Sequence, residues 1–193
     1  MQRRSNANEL LGQDTDLSRD FIASIEGEYR RYEMLGTAAT AQCPDEYLCA
    51  AAGDGNSLAT LIWHVSGNLK SRFTDFMASD GEKEWRNRDD EFAARQVERS
   101  EAEAKWAEGW SVLWDALSGL TDNDLTRQIT IRGQGLVVHE ALHRSLAHTA
   151  SHVGQMQYIA KAYAGDAWAS LSIPPGQSAA YNMNPTREKI PPK

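Results

Sequence analysis

Apolar residues recur along this chain at steps of three and four, and four long segments carry that period. In the first, from about Asp14 to Ala41, Leu17, Phe21, Ile25, Tyr29 and Tyr32 line one face of a helix. Asp14 or Asp16 is placed to cap its first turn, and Cys43-Pro44-Asp45 ends it, because a residue before proline avoids the helical region. The second helix follows Gly55-Asn56-Ser57 and is expected to run to about Ser79, with Leu58, Ile62, Val65, Leu69 and Phe76 on its buried face and Asp80-Gly81 as its stop. The third opens at Ser100, where Ser100 and Glu103 have the spacing of a capping box, and continues through a seam of Trp106, Trp110, Leu113, Leu117 and Leu120. The fourth starts near Val138 and stops before Gly165. The pattern predicts an all-α four-helix bundle.

The connections differ in kind. Residues 80–99 form a charged link too long for tight antiparallel neighbours, which points to a crossover. QITIRGQGLVV, at 128–138, reads as a small hairpin or extended arm about Gly133-Gln134-Gly135. From Asp166 the chain reads as an irregular tail packed on the bundle. The domain is expected to span 14–182, between a flexible 1–13 and a flexible, Pro-rich 183–193.

Composition narrows the classes. The chain has 193 residues, enough for one well-buried domain, and a net charge of −7 without a basic stripe, which argues against nucleic acid as a partner. No apolar run approaches the roughly 20 residues that span a bilayer, so no membrane partner is expected. The first residues hold two arginines but no apolar core, unlike a secretory signal. Cys43 and Cys49 lack further zinc-spaced partners and read as free packing thiols of a reducing compartment, which makes a cytoplasmic location the expectation.

The candidate chemistry lies in the histidines, all of them on the second or fourth helix. His148 and His152 differ by only about 40° around the helix and lie one turn apart, so both imidazoles can reach one ion. Gln155 shares their stripe, and Ser145 and Ala141 continue it. His143 and His139 point about 140° and about 180° away from His148 and read as surface residues. Thr149 stands where helical zinc proteases carry a glutamate, so that mechanism lacks its base. On the second helix, His64 begins a polar stripe of His64, Asn68, Ser71 and Asp75 inside an apolar seam, and buried polar groups require partners. Together His64, His148 and His152 would form an open three-nitrogen site of catalytic style. The bland reading makes them hydrogen-bonded core residues, with His64 bonded to a backbone group.

Three segments carry a family likeness: HVSGNLKSRFTDF from His64, DGEKEWRNRDDEF from Asp80 and LAHTASHVGQMQYIA from Leu146. With the SLSIPPGQS tail at 170–178, they resemble the DinB/YfiT-like metalloenzyme superfamily, and within it an uncharacterised branch, over roughly residues 17–182. The resemblance implies an up-down-down-up bundle and one divalent ion, nickel or zinc, on His64, His148 and His152. It also implies homodimers, which the six tryptophans suit, and enzymes that move low-molecular-weight thiols onto or off small substrates.

The expected function is therefore a metal-dependent thiol S-transferase, or a hydrolase, acting on a small substrate. A bound ion would lower the pKa of a thiol or a water there. Asn68, Gln155 or Asp75 would orient the nucleophile or the ligands. Arg86 and Arg88, within the run Trp85-Arg86-Asn87-Arg88-Asp89-Asp90, would bind a carboxylate on the substrate unless the run is an ion-paired surface loop. The 170–178 segment would cover the site or only pack on the bundle. Two rivals stand: a non-catalytic stress-response or metal-sensing binder, and a purely structural bundle.

Overall fold

The computed structural model describes residues 17–51 and 53–186. Asp14, Asp16, the flexible segment expected at 1–13 and all but residues 183–186 of the one expected at 183–193 lie outside the described residues. Helix α1 spans Asp20–Gln42, after a short 3-10 turn at Leu17–Arg19. Its cap comes from elsewhere in the chain: Asp122 accepts hydrogen bonds from the amides of Phe21 and Ile22 at 2.9 and 3.0 Å. Helix α2 spans Leu58–Phe73, and the Ser57 hydroxyl caps it by accepting from the Thr60 amide. It stops six residues before the expected Ser79. The backbone becomes extended at Thr74, Asp75 adopts a φ of 48°, and Phe76 folds back inward, its ring centre 5.1 Å from that of Phe73. That inward turn buries Phe76 and explains the early stop.

The 80–99 link contains a four-residue helix, α3, at Arg88–Glu91. Helix α4 spans Arg99–Ser118, beginning one residue before the expected start, and the Ser100 capping box does not form. The Glu98 carbonyl takes the first helical amides, while the Arg99 guanidinium binds the carbonyls of Thr40 and Cys43 and so draws Arg99 into the first turn. Strands β1 (Gln128–Ile131) and β2 (Gln134–Val137) pair antiparallel. Their turn falls at Arg132-Gly133, not about Gly133-Gln134-Gly135. Both residues have positive φ, 55° and 71°, as a two-residue hairpin turn requires. Helix α5 spans Val138–Ala164, as the sequence pattern predicts, and Gly165 leaves it with a φ of 54°. A short helix, α6, follows at Ser178–Asn182.

Among the described residues the protein is thus mostly helical, with four main helices and one small hairpin. Helix α2 packs chiefly on α4, and α1 on α5. Gly109 permits the first approach, since a Cβ there would lie 2.6 Å from the Ser66 Cα. The expected seams are buried: Leu58, Ile62, Val65 and Leu69 of α2 meet Trp110, Leu113 and Leu117 of α4. Tyr29 lies at the centre, fully buried, donating to the Leu142 carbonyl at 3.0 Å and edge-on to Phe73, Trp110 and Trp114. The tail pairs with the end of α1, where Gln42 exchanges two hydrogen bonds with Ala169. No described helix is long and apolar enough to cross a membrane.

Candidate metal centre

Helix α5 buries a stripe of Val138, Leu142, Ser145, Thr149, Val153 and Met156, which fixes its rotation against the core. His148 and His152 flank that stripe, half-buried, and face α2. On α2, His64 is 3% exposed and points back at them. The three imidazoles converge. His148 Nε2 lies 3.1 Å from His64 Nε2 and 3.2 Å from His152 Nε2, and ligand atoms of all three fall within 4.8 Å of one another. Tetrahedral zinc with bonds of 2.0–2.1 Å sets nitrogen-to-nitrogen edges of about 3.3–3.4 Å, close to what is seen.

The outer nitrogens decide what the inner ones can do. Glu91, from α3, places Oε2 2.9 Å from His64 Nδ1. Burial raises the Glu91 carboxyl, but the hydrogen bonds from His64 and Arg86 outweigh it and hold the group below its ordinary value. An ionised carboxylate only accepts, so Nδ1 carries a proton, and the tautomer protonated there turns a bare Nε2 lone pair inward. On α5, Gln155 presents its Oε1 2.9 Å from His152 Nδ1, which fixes the same tautomer there. His148 Nε2 then faces two lone pairs with at most one proton to share. A cation satisfies all three nitrogens at once, and carboxylate- or carbonyl-oriented imidazoles are the usual supports of metal ligands. Burial, then neighbouring His152 and His64, then Arg86 and Arg72, push His148 down to about 3; burial also lowers His152. Both therefore stay neutral, the form that ligates.

Glu91 escaped the sequence reading, although a signal was present. Gly67 interrupts α2 one turn after His64, and a Cβ there would lie 2.1 Å from Glu91 Oε1. A glycine inside a helix marks a close approach. Arg86 grips Glu91 with both arms, Nε to Oε1 at 2.8 Å and Nη2 to Oε2 at 2.9 Å, and its side chain is 2% exposed. It thus holds the carboxylate that orients His64, and its side chain is buried.

The other expectations divide. Asn68 lines a cavity of about 420 Å³ beside His64 and His148, together with Arg86, Arg88, Ala141 and Ser145. Gln155 orients His152. Ser71 turns from the stripe to donate to the Gly81 carbonyl, and Asp75 is exposed beyond the end of α2, so neither joins the site. Asn87 caps α3, while Trp85, Asp89 and Asp90 are exposed. His143 is exposed as expected, but His139 is half-buried, with Nδ1 3.0 Å from the Leu125 carbonyl oxygen. Cys43 is buried and Cys49 partly so, both are free, and neither lines the cavity. The 170–178 segment does not line it either; the link and the hairpin do.

Fold and site together define a mostly helical protein with a candidate three-histidine metal centre between two of its helices. The model of a family described as a protein of unknown function, DUF1572, matches residues 16–177, and the chain belongs to that family. No curated protein and no solved structure matches it significantly.

Proposed function

We propose that this chain is a DinB/YfiT-like metal-dependent enzyme that transfers a low-molecular-weight thiol onto or off a small substrate. The observation that carries the reading is the convergence of three Nε2 atoms whose outer partners, Glu91 and Gln155, leave lone pairs aimed at one point. The contacts support the up-down-down-up order. Phe21 meets His143 near the starts of α1 and α5, and Gln42 meets Ala169 near their ends, as two helices running the same way require. Thr37 meets Trp106 while Glu33 meets Trp114, so α4 runs against α1.

A divalent ion, nickel or zinc, on His64, His148 and His152 would supply a Lewis acid that makes a thiol or a water a stronger nucleophile at neutral pH. Three neutral ligands leave its charge uncompensated, which favours an anionic fourth partner. Around it the chain positions and shields. Glu91 and Gln155 fix two rings, Phe92 covers His64 at 4.4 Å between ring centres, and Asn68 offers an amide to whatever enters the cavity. Neither cysteine reaches the cavity, so the attacking thiol comes from outside. Free thiols at Cys43 and Cys49 suit a cytoplasmic setting, and a homodimer completes the proposal.

Cobalt- or nickel-substituted protein tests it. Millimolar low-molecular-weight thiols should shift the visible spectrum by entering the ion's coordination, and more weakly in His64→Ala. A spectrum that ignores thiols would argue against transfer and for hydrolysis or simple binding.

A further inference from the structure

The cavity beside the histidines carries a charge that the metal centre does not need. Five guanidiniums line it, from four separate segments: Arg72 at the end of α2, Arg86 and Arg88 in the link, Arg132 in the hairpin turn and Arg144 on α5. No aspartate or glutamate shares that lining, in a chain whose net charge is −7. Glu91 engages Arg86, and Glu82 is shared between Arg72 at 3.1 Å and Arg132 at 2.9 Å. Arg88 makes a loose contact with Asp89 at 3.8 Å and lies over the Phe92 ring, with no closer carboxylate among the described residues. Positive charge therefore stays in excess even before a cation is bound. Burial first, then the nearby Arg86 cation, lowers the Arg72 guanidinium, which shows how closely these charges are pressed together.

A purely structural set of arginines would be satisfied by the fold. This one is not. Arg86 is 2% exposed, yet its Nη1 is buried without a hydrogen-bond partner among the described residues. A buried donor of this kind is costly without a partner. The same lining also holds an apolar set, Phe73, Phe76, Ile131 and Leu136.

The geometry points to a substrate that is a small organic anion, with an apolar body on that apolar set and a phosphate, phosphonate or carboxylate group among Arg72, Arg86 and Arg144. The inference rests on the histidine cluster as the reacting centre and adds the class of molecule brought to it. Guanidinium forks bind the planar or tetrahedral oxygens of such groups in pairs, which selects them over neutral analogues.

Calorimetric titration with phenylphosphonate, phenylacetate, inorganic phosphate and benzyl alcohol tests this, with metal content measured on the same samples. Phenylphosphonate or phenylacetate should bind metal-free and metal-loaded protein alike, whichever fits better naming the anionic group. Inorganic phosphate should bind less tightly and benzyl alcohol not at all. Arg144 is exposed, so Arg144→Gln should fold and weaken binding about tenfold at unchanged metal content. Arg72→Gln, checked by circular dichroism because Arg72 also binds the Gly81 carbonyl, should do the same. Equal binding of benzyl alcohol, binding indifferent to both arginines, binding only in metal-loaded protein, or no binding of either aromatic anion would overturn the subsite. Anion binding by protein that takes up no ion on reconstitution would support the subsite and count against the metal centre.

Discussion

His64 reaches the centre in the right tautomer because three residues of very different kinds agree. Glu91 accepts its Nδ1 proton, Arg86 holds Glu91, and Gly67 leaves room for the carboxylate. Glu91→Gln keeps the shape but removes the charge that orients the ring. Ion affinity should fall roughly 10- to 100-fold, as it does when such supports are lost, with the fold intact by circular dichroism. Gly67→Ala sets two effects against each other. Alanine gains about 1 kcal/mol of helix propensity over glycine, but its Cβ overlaps a carboxylate that Arg86 clamps. The overlap should win at the site, so ion affinity drops by a similar factor while thermal stability changes little. Unchanged affinity in both variants would show that Glu91 does not support His64. At this scale the convergence of His64, His148 and His152 was legible, and angular spacing alone sets His139 and His143 apart. Gln155, the partner of His152, was legible from the same stripe, but Glu91 was not, since a pairing between residues 64 and 91 depends on how the link folds back.

Helix interiors followed from the hydrophobic period, whereas several ends did not. Helix α1 takes its cap from Asp122, about a hundred residues away, and α2 stops early so that Phe76 can bury. Such ends are set by tertiary contacts that no local pattern encodes. The hairpin is a further case. Asp80, at the head of the link, accepts from the amides of Glu82 and Arg132 through Oδ1 and from Gly133 through Oδ2, while Gly81 donates to the Thr130 carbonyl. This clasp ties the turn carrying Arg132 to the cavity mouth. The amides of Glu82 and Gly133, with that of Arg132, hold the Asp80 carboxyl well below its ordinary 3.8. A lowered folded value means the clasp is fully present above the unfolded value and is lost as the pH falls through the folded one. Hydrogen-exchange protection of Arg132 and Gly133 should therefore be level from neutral pH down to about pH 5 and decline only in stronger acid. Asp80→Asn should lower it at every pH above that decline. Wild-type protection that fades between pH 7 and 5 would contradict the clasp.

At the scale of the molecule, the centre spans the seam between α2 and α5, so it forms only when the two halves of the chain have packed. The tryptophans are mostly accounted for within one chain: Trp106 and Trp110 are buried, Trp63, Trp114 and Trp168 pack partly against the core, and Trp85 is exposed. The expected homodimer now stands on the family likeness alone. Light scattering at micromolar concentration should report two copies, and a monomer would reject that part of the proposal. The central claim is the ion itself. Elemental analysis of protein purified without a histidine tag and reconstituted with nickel or zinc should find one ion per chain. His148→Ala or His152→Ala should abolish it, while His139→Ala and His143→Ala retain it. No stoichiometric ion after reconstitution, or equal loss across all four variants, would contradict the account.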